Sequence, residues 1–319
     1  MTSRSRPAPA PSGGSVPARA PGRFLRGTWT LHLMLLPAFV LVLLFQYLPM
    51  LGTVMAFQDF KPWSGFFRSE WVGLEHFRAI FERKDSSQVI WNTLVIASLK
   101  IVFIIVVPVA FALLLNEIRN SAFKRSVQTL VYLPHFLSWV ILGGILVDLL
   151  SPQSGLVNRV LVEWFGLEPI FFLGDGDWFR FTAVVSHIWK EFGFSAIIYL
   201  AALAGINPSL YEAADVDGAN RLQMTLHITL PALVPIIVVC TTLELSNILN
   251  GGFDQIFNLY NSMVYAKGDI IDTFVYRVGI LDQQLSFSAA IGLFKSLISF
   301  VLVVLVYRIA YKVANYRIF

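Results

Sequence analysis

The sequence predicts an all-α membrane protein with six transmembrane helices, and two observations carry this prediction. Hydrophobic residues make up 56% of the 319 residues and charged residues only 14%, whereas average soluble domains contain about 25% charged residues. The chain also contains six long apolar segments. A bilayer core of about 30 Å needs roughly 20 apolar residues in a helix, and each segment is long enough to meet that need.

Polar stretches separate the six segments. The segments cover residues 29–51, 88–115, 127–150, 179–205, 230–250 and 287–313. Residues 1–26, rich in Pro, Ser, Ala and Arg, cannot bury much apolar surface and are expected to be disordered. We expect this tail to be retained, because the apolar run after it is too long for a signal peptide. The predicted domains are therefore a tail, 1–26, and a membrane domain, 27–319.

The distribution of lysine and arginine predicts the orientation in the membrane. With six spans, the three most basic groups fall on one side, which places both termini in the cytoplasm. The first external connection breaks the pattern, since its basic residues are offset by acidic ones. The three groups are Arg4, Arg6, Arg19, Arg23 and Arg26 in the tail, Arg119, Lys124 and Arg125 in the second connection, and Arg308, Lys312 and Arg317 at the end.

A polar loop between the fourth and fifth spans, NPSLYEAADVDGANRLQMTLHITLPAL (207–233), carries several helix signals. Ser209 begins an S-x-x-E capping box, and Asn207, which precedes a proline, offers an alternative start. Gly218 is a candidate for a left-handed helix end, and Asn220 can cap a second helix. The pattern predicts a short helix, a turn and a helix that enters the fifth span. On local physics alone, this is simply a capped connector.

This loop resembles the EAA loop of the membrane subunits of binding-protein-dependent ABC importers. The family pattern is Glu-Ala-Ala, a later glycine and then Ile-x-Leu-Pro. The chain has these residues in register: Glu212, Ala213, Ala214, Gly218, Ile228, Leu230 and Pro231. Segments such as WVGLEHFRAIF (71–81) and YLPHFLSWVI (132–141) are similar to the carbohydrate branch. Within that branch the likeness is greatest to permeases for alginate- or pectin-derived oligosaccharides, and it covers about residues 30–310.

The resemblance implies the type I ABC importer permease fold, with a cytoplasmic coupling loop at 207–230 that docks on an ATPase. The implied partners are a second homologous permease, two ATP-binding ABC subunits and an extracytoplasmic solute-binding protein, in the bacterial cytoplasmic (inner) membrane. The chain itself is expected to be neither an enzyme nor a cofactor-binding or nucleic-acid-binding protein. Its sequence has no G-x-x-x-x-G-K-[ST] loop, so ATP and Mg are expected on the ATPase. The coupling residues are Glu212, Ala213, Ala214, Asp217, Gly218 and Ala219.

Charged residues within the predicted spans form a second candidate site. Each costs about 2.5–3.5 kcal/mol near a helix centre, so they are either structural ion pairs between helices or part of a wet solute path. Along the fifth span, Glu244, Asn247, Asn250 and Gly251 recur on one helical face. We predict that this stripe hydrogen-bonds sugar hydroxyls and that Lys190 and Lys295 meet sugar carboxylates. The candidate pathway residues are Lys190, Glu191, Glu244, Asn247, Asn250 and Lys295, while Lys100 and Asp148 are the other charges within the spans.

The function expected from these features is ATP-driven import of a sugar or oligosaccharide, with an acidic one as the narrower expectation. A phosphorylated polyol or a peptide as substrate is an alternative with the same mechanism. An ion-coupled secondary transporter and a membrane-embedded enzyme are alternatives of other classes. The five histidines lack paired ligand spacing, and we find no catalytic triad, which argues against a metal site and an enzyme. The single cysteine, Cys240, excludes a disulfide within the chain.

Overall fold

The computed structural model describes residues 29–246 and 249–314. The predicted disordered tail, 1–26, lies outside the described residues and stays a prediction. Two compact units divide the chain, residues 1–52 and residues 53–319. In the first unit, helix α1 (Trp29–Val42) continues as a π-helix (Leu43–Tyr47) and ends in a short helix, α2 (Leu48–Met50).

A small hairpin begins the second unit. A 3-10 helix over Leu51–Phe57 leads to strand β1 (Gln58–Asp59), which pairs with antiparallel strand β2 (Glu70–Trp71). Helix α3 (Gly65–Arg68) lies between the strands, and helix α4 (Glu75–Glu82) follows them. The connection after the first span is therefore folded.

The second and third spans differ in shape. Helix α5 (Lys84–Asn116) runs for 33 residues. In the third span, α6 (Ser121–Tyr132) passes through a 3-10 turn (Leu133–Phe136) before α7 (Trp139–Leu150), with a bend of 103°. The sequence predicted the segment but not this break. Its cause is local: a proline in the 3-10 turn has no N–H, and the serine before α7 caps a new helix.

Long helices alternate with short ones in the next part of the chain. Helix α8 (Leu156–Phe165) precedes α9 (Gly176–Ala204), the fourth span. The chain then bends by 68° and leaves the spans. It forms α10 (Pro208–Val216), α11 (Arg221–Met224), a π-helical stretch (Thr225–Thr229) and α12 (Leu230–Ser246), the fifth span.

Short helices make up the connection between the fifth and sixth spans. They precede α16, the sixth span. In order they are α13 (Phe253–Leu259), a 3-10 turn (Ser262–Val264), α14 (Tyr265–Gly268), α15 (Ile271–Tyr276), a π-helical stretch (Arg277–Leu281) and then α16 (Leu285–Ala314).

A buried ion pair holds this connection together. Arg277 Nη2 lies 2.5 Å from Asp269 Oδ2, and the Asp269 side chain is only 1% exposed. Burial raises the pKa of the Asp269 carboxyl, although Thr273 and Arg277 donate hydrogen bonds to it. At Arg277, burial is the largest single influence and acts to lower the pKa of the guanidinium, but the hydrogen bond and charge of Asp269 together with Tyr265 and Tyr260 raise it.

Helix length and composition support the predicted number of spans. Among the described residues, four helical stretches are long and apolar enough to cross a membrane, and two bent helix pairs raise the number to six if each pair is one span. The four are His32–Phe57, Lys84–Asn116, Arg221–Leu245 and Leu285–Leu305. The bent pairs are α6 with α7 and α9 with α10.

Helix α5 is central to the core of the second unit. Among the described residues, four clusters of buried apolar side chains follow one another along it, around Val89, Ile96, Ile104 and Val109. The first cluster joins α5 to α15 and α16, the second to α9 and α13, the third to α9, and the last to α9 and α12. The fourth, fifth and sixth spans are thus packed against a shared helix.

Candidate functional site

The loop 207–230 folds as a helix, a turn and a second helix. The Asn207 side chain accepts the Ser209 N–H at 3.1 Å, and Pro208 takes the first helical position of α10. Of the two starts that the sequence offers, the structure takes Asn207 and not the box beginning at Ser209. The earlier start is favoured because proline has no N–H to leave unpaired and its φ suits a first helical turn.

Gly218 ends this helix in a left-handed turn, as predicted. Its φ is +75°. Beyond it, the Ala219 N–H reaches back to the Ala214 carbonyl at 2.9 Å. A Cβ added at Gly218 would meet no atom within 4 Å. Glycine is therefore favoured here by the backbone conformation and not by lack of space.

The second helix has the predicted cap. The Asn220 side chain accepts the Gln223 N–H at 2.9 Å, and the Gln223 side chain accepts the Asn220 N–H at 2.8 Å. This reciprocal capping box pairs two backbone donors that a helix start leaves free. The direction in which the chain enters α12 is therefore defined by local bonds.

Two side-chain contacts join the loop to the spans. The hydroxyls of Tyr211 on α10 and Thr229 before α12 share a hydrogen bond of 2.9 Å. Arg221 Nη1 on α11 lies 2.9 Å from Oε2 of Glu117, the residue after α5. The ion pair is exposed and worth at most about 1 kcal/mol, whereas the Thr229 end of the hydroxyl bond is buried. The hydroxyl bond ties α10 to the residue just before α12.

The outer surface of the loop is apolar as well as polar. The exposed fractions are 49% for Leu210, 89% for Val216 and 67% for Leu222. Exposed apolar groups that cluster outside the spans are typical of a contact with another protein. The predicted coupling residues share this surface: Glu212, Ala213, Asp217 and Gly218 are exposed, and Ala214 and Ala219 are half-buried.

A cleft of about 700 Å³ lies beside α10. Glu212 and Asp215 line it from α10, and Glu117 and Arg119 line it from the chain after α5. Glu212 is thus exposed and lies at a cleft whose other acids are Asp215 and Glu117, the latter paired with Arg221. The roles of the coupling residues stay predictions.

The first two candidate pathway residues meet a histidine that the sequence did not single out. Lys190 Nζ lies 2.6 Å from the His135 carbonyl oxygen and 3.1 Å from Glu191 Oε1. Glu191 Oε2 lies 2.7 Å from His135 Nδ1. We call these three residues the break cluster, because His135 lies in the 3-10 turn that breaks the third span. The only hint in the sequence was the proline before this histidine.

The remaining charged candidates are spread out. Lys295 on α16 pairs with Asp272 Oδ1 at 2.5 Å, a partner from the connection before α16. Glu244 on α12 is half-buried. The structure therefore gives Lys295 a carboxylate partner separate from the break cluster.

The predicted stripe on the fifth span is not one helical face in the structure, and that expectation is wrong. α12 is described as far as Ser246, Asn247 lies outside the described residues, and Asn250 and Gly251 are not helical. Beyond α12, the Gly251 carbonyl accepts a hydrogen bond from the buried Lys100 side chain at 2.7 Å. Whether these residues contact a substrate stays a prediction.

Metal ligands are not assembled in the part of the chain that the structure describes. No group of three or more His, Cys, Asp or Glu side chains there is placed to hold a metal ion. The polar features of the described residues are those of ion pairs and caps.

Comparison with known proteins decides the class to which these features belong. Residues 104–315 match the family described as "Binding-protein-dependent transport system inner membrane component". The chain belongs to this family. The permease is 45% identical over 282 residues to the polygalacturonan/rhamnogalacturonan transport system permease protein YteP of Bacillus subtilis (strain 168), in an alignment that covers 88% of each chain. It is 43% identical over 278 residues to Protein LplB of the same organism, and that alignment covers 87% of each chain.

A solved structure agrees with these relatives. The permease matches a chain in the crystal structure of a bacterial ABC transporter involved in the import of the acidic polysaccharide alginate, with a TM-score of 0.84 and 39% sequence identity. The match covers 92% of this chain and 98% of the other. The predicted family and the type I permease fold are confirmed, and the permease is a multi-pass membrane subunit of an ABC importer.

Proposed function

We propose that this permease carries an acidic oligosaccharide from an external solute-binding protein into the cytoplasm. The support for the substrate class is chemical. One relative is named for polygalacturonan and the transporter of known structure is involved in alginate import, and both compounds are carboxylated polysaccharides. A phosphorylated polyol or a peptide is the alternative cargo. The break cluster has charged groups of both signs, which would suit the charges of each of these solutes.

The proposed assembly contains a second, homologous permease, two ATP-binding subunits on the cytoplasmic side and the binding protein outside. Both termini lie in the cytoplasm, as the basic groups favour. ATP and Mg bind the ATP-binding subunits and not this chain. α10 docks on one of those subunits, with Glu212, Ala213, Ala214, Asp217, Gly218 and Ala219 at or beside the contact.

One observation carries this proposal: α10 is exposed and yet bonded to the helices that must move. Its cap at Asn207 and its turn at Gly218 define it locally. Tyr211 joins it to the residues just before α12. When ATP binding brings the ATPases together, α10 follows them, α12 follows α10, and the cavity changes from inward-facing to outward-facing. Hydrolysis and product release reverse the change.

Within the cavity, we propose that Lys190, Glu191 and Glu244 face the solute, together with Asn247, Asn250 and Lys295. The argument is energetic. Glu191 is 24% exposed in this chain, and a charge inside the membrane faces water or a protein partner because facing lipid is costly.

Purification of the tagged permease in mild detergent, with mass spectrometry of the proteins that accompany it, tests the assembly. An ATPase and a second six-span permease are the expected partners. A chain without an ATPase, even after cross-linking, would favour an ion-coupled secondary transporter. Uptake of trigalacturonate, a phosphorylated polyol or a peptide by the reconstituted complex then identifies the cargo class.

A further inference from the structure

The break cluster contains one carboxylate shared by two partners. Glu191 contacts Lys190 through one oxygen and His135 through the other, at 3.1 Å and 2.7 Å. The Lys190 side chain is only 8% exposed, and its second contact is a backbone carbonyl. An ammonium has three donors: two oxygens lie within 3.1 Å of Lys190 Nζ, and the Trp139 ring lies 5.8 Å from it. Glu191 is therefore the one carboxylate that pairs with Lys190 among the described residues.

The cluster is open on one side. His135 and Glu191 keep 28% and 24% of their side chains exposed. Glu191 is therefore the member of the cluster that is most easily displaced, while Lys190 is held by burial and by the carbonyl of His135.

Aromatic rings border the open side. The rings of His135 and Phe194 stack at 3.9 Å with an angle of 1° between them. Phe136 meets His135 edge to face at 5.4 Å. Phe194 and Phe136 are 43% and 73% exposed. Flat apolar surfaces beside a lysine that binds carboxylate suit a uronic acid, whose ring has an apolar C–H face and a carboxylate at its edge.

We propose that Glu191 is an internal substitute for the substrate: its carboxylate occupies the place on Lys190 that a sugar carboxylate takes during transport. Arrival of a uronic acid exchanges one carboxylate for another at Lys190, and Glu191 turns toward the solvated cavity. The exchange keeps the buried ammonium paired in both states, which avoids an isolated charge in the membrane. This inference rests on the proposed function. Within it, Lys190 binds the sugar carboxylate, Glu191 competes for Lys190, and the rings of Phe136 and Phe194 stack on the sugar.

The test uses the complete importer in proteoliposomes with two probes, trigalacturonate and its methyl ester, which lacks the charges. Initial uptake is normalised to the amount of loaded binding protein, so that the permease variants alone alter the ratio. Lys190→Met should lower trigalacturonate uptake about tenfold, as loss of one close charge pair does, and leave ester uptake within about twofold. Glu191→Gln should lower the KM for trigalacturonate and not the KM for the ester.

Two further variants are controls, one for misfolding and one for the loss of any ion pair. Lys190→Met with Glu191→Gln removes both charges, which leaves no unpaired ion to prevent folding, and should likewise lose the preference for the acid. Lys267→Met, which breaks an ion pair with Asp177 elsewhere in the chain, should leave the preference unchanged. Equal effects of Lys190→Met or Glu191→Gln on both probes would overturn the inference while the proposed function stands. Failure of the wild-type importer to take up either probe would overturn both.

Discussion

Substitution of Gly218 tests whether the turn after α10 transmits movement. Because φ is +75° and no atom lies within 4 Å of the missing Cβ, a new side chain is penalised only through the backbone. Alanine in a left-handed conformation costs about 1 kcal/mol, and asparagine costs less. Proline cannot reach a positive φ, and it also removes the N–H that donates to the Asp215 carbonyl at 3.1 Å. We expect it to cost about 3 kcal/mol or more.

These magnitudes predict a graded series. The cap of Asn220 and the bond between Tyr211 and Thr229 each oppose a change of the loop by about 1 kcal/mol. A penalty of about 1 kcal/mol changes the ratio of folded to altered turn about fivefold, and the two bonds offset a change of that size. A penalty of about 3 kcal/mol changes the ratio more than a hundredfold, which they do not offset. Gly218→Asn and Gly218→Ala should therefore retain coupling, and Gly218→Pro should lose it.

The assay is uptake per ATP hydrolysed by the complete importer in proteoliposomes. Gly218→Pro should hydrolyse ATP with little uptake, while the chain still inserts in the membrane. Gly73→Ala is the matched control, since Gly73 has a φ of +62° and equally open surroundings but lies outside the loop. Normal coupling in Gly218→Pro, or equal damage by alanine and proline, would refute the reasoning.

Three further predictions concern contacts of the loop and of the last connection. Tyr211→Phe removes a bond worth about 1 kcal/mol to Thr229 and should lower uptake per ATP without loss of ATPase co-purification; unchanged uptake per ATP would exclude this bond as a link. Glu212→Lys reverses a charge on α10 and should uncouple transport, so wild-type coupling would contradict docking through this face. Asp269→Asn leaves Arg277 partly unpaired and should lower the free energy of unfolding at neutral pH by about 2–3 kcal/mol. Thermal melts of the purified complex measure this loss, and an asparagine variant as stable as the wild type would contradict it.

Features that depend on neighbours along the chain were predictable. Span positions follow from runs of apolar residues, and the left-handed turn and the Asn220 cap follow from residues a few positions apart. The start of α10 shows the limit of such reasoning, because two caps were possible and their relative free energies decided between them. The break in the third span had a local cause, Pro134, but many spans contain proline without breaking, as Pro108 in α5 shows.

Contacts between distant residues were decided only by the tertiary structure. The sequence by itself determined the family, the number of spans and the two short helices of the loop with the turn between them, since these depend on local composition and spacing. It placed Lys190 and Glu191 in a span but left open what they touch. His135, 56 residues away from Glu191, became their partner only when the broken third span packed on α9. Burial and pairing of charges depend on which helices meet, and that is a property of the packed fold.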